Sequence, residues 1–121
     1  MRLRLVTALL VLALGAPAAY AHAHLDHAVP AAGSTVDTPP HEVTLTFTQN
    51  LEPAFSTVSV TDAKGADVGQ GKAAISGNVM RLDLKPLGTG SFTVHWHAVS
   101  VDTHITEGTF LFQVGGTSGA K

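Results

Sequence analysis

Strict alternation of apolar and polar side chains, repeated along most of this chain, is the feature that most limits what it can fold into. Val43, Leu45 and Phe47 alternate with Thr44, Thr46 and Thr48, and Val58 and Val60 with Thr57, Ser59 and Thr61. Met80, Leu82 and Leu84 alternate with Arg81, Asp83 and Lys85. Phe92, Val94, Trp96 and Ala98 share one face of a longer run, leaving Thr93, His95, His97 and Val99 on the other, and Phe110, Phe112 and Val114 form a last apolar face. A period of two is that of a half-buried strand. The turn clusters Asp62-Ala63-Lys64-Gly65, Ser76-Gly77-Asn78 and Leu87-Gly88-Thr89-Gly90 separate the runs. No stretch after residue 22 keeps a helical period, and no repeat is visible. The pattern predicts an all-β fold, an antiparallel Greek-key barrel or sandwich.

The first residues read as an address rather than as structure. Met1-Arg2-Leu3-Arg4 is a short basic segment, Leu5 to Leu14 is apolar, and small residues follow, with Ala19 and Ala21 in A-x-A spacing. The apolar run is too short to cross a bilayer of roughly 30 Å, which takes about 20 residues. Residues 1–21 are therefore expected to be a cleaved secretory signal. Residues 22–121 are then one domain of 100 residues, with 115–121 as a frayed tail. A domain of that size buries roughly two thirds of its unfolded surface, enough for one core without staples. Ala21-His22-Ala23 offers a second cleavage register, which would start the protein at His24.

Composition removes several function classes. The absence of Cys excludes disulfides, thiolate zinc sites, iron–sulfur clusters, blue copper, a cysteine nucleophile and a lipid anchor at the cleavage junction. The formal charge of −2 gives no basic patch for nucleic acid. Removing Arg2 and Arg4 leaves 5 basic against 9 acidic residues, a formal −4. The 7 histidines, as many as Lys and Arg together, are the unusual feature. His22, His24 and His27 lie near the new N-terminus, His95 and His97 share a strand face, and His104 follows Asp102. Asp102 and His104, two apart on an extended segment, would point the same way and converge on one ion. His95 and His97 read as decoration of the solvent side of a sheet. Cleavage after Ala21 gives His22 an α-amine, whose ordinary pKa of about 7.7–8.0 lets it yield its proton to a metal near neutral pH. An amine, imidazoles and a carboxylate suit Cu(II). Cu(I) is disfavoured, since Met80 is the only methionine after residue 1.

At these residues the chain resembles the CopC-type copper-resistance proteins. His22-Ala23-His24-Leu25 followed by Pro30-Ala31-Ala32-Gly33-Ser34 resembles the start of the mature proteins, and Val43 through Leu51 their first long strand. Trp96 through His104, with Ser100-x-Asp102-x-His104, resembles their C-terminal signature, which Glu107-Gly108-Thr109-Phe110 continues. The resemblance implies a cupredoxin-like or immunoglobulin-like barrel in the periplasm. It also implies one Cu(II) per chain held by the amine and imidazole of His22, by Asp102 and by His104, and a CopD-type inner-membrane partner. The spacing from His22 to Pro30 favours cleavage after Ala21. Some members carry an acidic residue beside the copper where this chain has Gln49, and others a methionine-rich segment that this chain lacks.

Three alternatives stand beside this reading. His22-Ala23-His24 is itself a Cu(II) pattern, through the amine, two deprotonated amides and the His24 imidazole. An N-terminal histidine chelate also resembles copper monooxygenases, although one Trp, no Tyr after residue 20 and Asp102 at the metal argue against an oxygen-activating enzyme. The third is a metal-free immunoglobulin-like interaction module.

Overall fold

The computed structural model describes residues 24–115. The expected signal segment 1–21, His22 and Ala23, and residues 116–121 of the expected tail 115–121 lie outside the described residues. Eight strands form in the order β1 (Leu25–Val29), β2 (Thr35–Val36), β3 (Glu42–Phe47), β4 (Thr57–Asp62), β5 (Gly69–Ser76), β6 (Val79–Leu84), β7 (Gly90–Val99) and β8 (Ile105–Val114). They build two four-stranded sheets, β1-β3-β6-β5 and β2-β8-β7-β4. The chain crosses between the sheets from β1 to β2, β2 to β3, β3 to β4, β4 to β5 and β6 to β7, and pairs as hairpins at β5–β6 and β7–β8. This is the antiparallel Greek-key arrangement expected from the alternation. The exception is the short β2, which pairs with β8 in parallel through Thr35 and Val36.

Every alternating face named from the sequence points inward. Val43, Leu45 and Phe47 from β3 and Met80, Leu82 and Leu84 from β6 meet Val58 and Val60 from β4, Val94 and Ala98 from β7, and Phe110, Phe112 and Val114 from β8. Phe92 stacks on Phe112 with ring centroids 5.4 Å apart. One corner is closed by Val68, whose N–H donates to the Val60 carbonyl while its own carbonyl accepts from Lys85, so β4 and β6 are joined through one residue. β1, β2 and β5 were not foreseen as separate alternating runs. β5, with two glycines and a bulge between Gln70 and Ala74, has too little apolar periodicity to register as a strand.

Trp96 lies flat across β8 because its register partner is Gly108. A Cβ at that position would come within 2.5 Å of the indole. The ring also meets Phe47 edge-on and Phe110 at a tilt, with centroids 6.3 Å away in each case. The indole therefore clamps the last turn of the core beneath the β7–β8 connection.

Parity along β8 yields the first prediction. Phe112 is 1% exposed and its neighbour Leu111 is 53% exposed. Phe112→Ala should cost about 3–5 kcal/mol of unfolding free energy, and Leu111→Ala within about 0.5 kcal/mol of nothing. Urea denaturation measures both; comparable losses would mean the register is wrong.

Candidate metal centre

The β7–β8 connection, residues 100–104, is built around one serine. Ser100 is fully buried and bridged to Leu51 of the neighbouring segment. Its N–H donates to the His104 carbonyl (2.9 Å), its carbonyl accepts from Thr103 N–H (2.8 Å), and its Oγ accepts from His104 N–H (3.2 Å). The same hydroxyl donates a short hydrogen bond to Asp102 Oδ1. Thr103 closes the turn at φ +73, a conformation a β-branched residue rarely adopts and one found at constrained functional turns.

This turn aims Asp102 and His104 at one point. His104 Nδ1 lies 3.2 Å from Asp102 Oδ1, and both side chains are 47% exposed. The convergence expected from the sequence is present, but its geometry is different. Residues 101–102 are in a turn rather than extended, so a left-handed Thr103 and the Ser100 hydroxyl do what strand parity was expected to do. The Ser100 hydroxyl first, and the His104 imidazole second, hold the Asp102 carboxyl below its ordinary value. Each hydrogen bond favours the charged form. Asp102 is thus kept as a carboxylate, the form that ligates a cation.

The spacing is that of a hydrogen bond, and it is also compatible with two ligands of one metal. Two donor atoms each about 2.0–2.1 Å from an ion, at angles between square and tetrahedral, lie about 2.9–3.4 Å apart. The observed separation falls in that interval. A carboxylate and an imidazole are two ligands; among the described residues no group of three or more His, Asp or Glu gathers at one point.

The other histidines named from the sequence belong to other segments. His24 is tied by its backbone to Thr48: its N–H donates to Thr48 Oγ1 (3.0 Å) and its carbonyl accepts from Thr48 N–H (2.9 Å). Downstream of Thr48, the Asn50 carbonyl accepts from Val101 N–H (3.0 Å) and Glu52 N–H donates to the Val99 carbonyl (2.7 Å). Residues 48–52 therefore link the point where the chain enters β1 to the Asp102–His104 turn. Gln49 is half-buried within that link. His27 pairs with Asp26 at 3.2 Å on β1. His95 and His97 lie on the outer face of β7, as expected from parity, with His97 Nδ1 3.7 Å from Glu107 Oε2.

Ser100, Thr48 and Asn50 were not singled out from the sequence for these roles. For Ser100 a signal exists: it continues the inward parity of Phe92, Val94, Trp96 and Ala98 and so is a hydroxyl delivered to the core. Thr48 and Asn50 act through pairings between distant segments, which no local pattern reports.

Comparison with known proteins identifies the family. The CopC domain family model matches residues 25–115. The chain is 36% identical over 116 residues to protein YobA of Escherichia coli K12, covering 93% of this chain and 94% of that one. It is 35% identical over 110 residues to copper resistance protein C of Xanthomonas campestris pv. juglandis, covering 84% and 86%. The crystal structure of CopC from Methylosinus trichosporium OB3b superposes with a TM-score of 0.69 at 34% identity, over 81% of this chain and 98% of that one. This chain belongs to the CopC domain family.

The serine hub predicts a pH signature. Ser100→Ala removes the main cause of the lowered Asp102 pKa. A carboxyl with a depressed folded value contributes stability above its unfolded value of 3.8, and that contribution is lost as pH falls through the folded value. The stability gap between the native protein and Ser100→Ala should therefore narrow on acidification below about pH 4. Urea midpoints measured between neutral and strongly acid pH test this; a gap constant with pH would mean that Ser100 does not act on Asp102.

Proposed function

We propose that this CopC-family chain is exported to the periplasm, where it binds one Cu(II) and sequesters or delivers it, without catalysing a reaction. The carrying observation is the 3.2 Å convergence of Asp102 and His104 on a turn preset by Ser100. On this reading the remaining ligands are the α-amine and imidazole of His22, freed by cleavage after Ala21. His22 is two residues upstream of His24, whose backbone is held by the same 48–52 segment that holds the turn. On this reading that link is the route by which the N-terminus comes to the pair.

The donor set favours the oxidised ion. Amine, imidazole and carboxylate are borderline to hard ligands, and Cu(I) prefers thioether or thiolate. Met80, the one methionine of the mature chain, is fully buried on β6 and offers no sulfur to solvent. The related copper resistance protein C carries copper in its name, which supports copper as the cargo of this chain too. A CopD-type inner-membrane protein is the expected partner by family resemblance.

The folded site and the N-terminal amide site make opposite predictions. With the folded site, His104→Ala removes a nitrogen ligand from a preorganised set and should weaken Cu(II) binding by several powers of ten, while His24→Ala changes little. With the amide site, His24→Ala abolishes the chelate and His104→Ala is silent. Competition titrations of the exported, correctly processed protein separate the two. Copper should also leave on acidification through roughly pH 6, since protons compete for imidazole and amine nitrogens.

A further inference from the structure

We propose that the outer face of the β7–β8 hairpin carries a second, weaker site for a divalent first-row metal, formed by His95, His97 and Glu107. The site does not depend on the Cu(II) reading of Asp102 and His104. The two histidines alternate outward on β7, about 6.6 Å apart along the strand at the usual rise, close enough for their imidazoles to lean onto one ion. Two imidazoles alone are a common surface decoration. Register adds the third donor: Glu107 is the β8 partner of His97, and its carboxylate already lies 3.7 Å from the His97 ring. An open depression lined by His95, Glu107 and Thr109 and by Trp96 and Gly108 lies at this point of the hairpin. The three groups are not gathered around an ion position as they stand; the exposed His95 has to rotate toward the His97–Glu107 pair.

Charge around the site favours a cation. The four strands of this sheet, β2, β4, β7 and β8, contain no Lys or Arg, and their acidic residues are Asp62 and Glu107. The neighbours of His95 and His97 on β4 are Ser59 and Thr57, which neither repel a cation nor compete for Glu107. Three residues of strand, about 10 Å, separate His97 from Ser100, so one ion cannot bridge this site and the Asp102–His104 pair. Among divalent ions an imidazole-carboxylate set ranks Cu(II) first. The hairpin thus presents two copper positions at successive heights, the weaker one open to solvent.

Equilibrium dialysis against Cu(II) alone tests this, using the exported protein, a His95→Asn/His97→Asn variant and an Asp102→Asn/His104→Ala variant. The expected result is a second, weaker equivalent in the native protein that is lost in the first variant and kept in the second. Glu107→Gln should weaken it about tenfold and His27→Asn should leave it unchanged. Thermal melts without metal confirm that each variant folds. As a second readout, Zn(II) titration followed by NMR should shift the His95 and His97 rings before that of His27. A second equivalent that survives His95→Asn/His97→Asn, or none at all in the native protein, overturns the proposal. A tight equivalent lost in His95→Asn/His97→Asn, or kept in Asp102→Asn/His104→Ala, would instead count against the Asp102–His104 reading.

Discussion

The buried hydroxyl of Ser100 is the interaction on which the rest of the site depends. A hydroxyl taken out of water must find partners or cost free energy, and here every partner belongs to the same five-residue turn. It accepts from His104 N–H and donates to Asp102, while its backbone binds His104 and Thr103. The core thus dictates the turn, because Ser100 continues the inward parity of β7 one residue past its end, and the turn dictates the spacing of the Asp102 and His104 side chains. Thr103 is held at positive φ by that same set of bonds. Strain at one residue is tolerated because its neighbours over-determine the conformation.

The two sheets supply the rigid frame for this arrangement. Trp96, laid across Gly108 and against Phe47 and Phe110, fixes the end of the β7–β8 hairpin to β3. From β3 the chain continues into residues 48–52, which hold the backbone of His24 on one side and the turn on the other. The Asp102–His104 pair and the start of β1 are therefore positioned by one continuous stretch. A ligand contributed from upstream of His24 would close a loop between the first and last strands, so a metal held there would bind only the folded state and stabilise it.

Much of this was legible in the residues themselves. The inward faces of β3, β4, β6, β7 and β8 follow from alternation alone, because one buried side per strand leaves a clear period of two. β5 was not legible, since its glycines and its bulge at the sheet edge erase the period. The pairing of Asp102 with His104 was legible as proximity but not as geometry: a strand-parity argument reached the right pair through the wrong backbone. A left-handed threonine has no sequence signature. The roles of Thr48 and Asn50 depend on contacts between segments some 24 to 51 residues apart and emerge only from the assembled sheets.

The central claim is that the pair preset by Ser100 is half of a Cu(II) site completed by the first residue of the mature chain. The most direct test is Cu(II) affinity of the protein beginning at His22, its N-terminus verified by intact mass, against the same protein with one residue added before His22. The addition displaces the α-amine from the His22 imidazole and leaves the described fold, Asp102 and His104 untouched. The account predicts one tightly bound Cu(II) in the first protein and a loss of several powers of ten in affinity in the second. Equal, tight binding by both would contradict it.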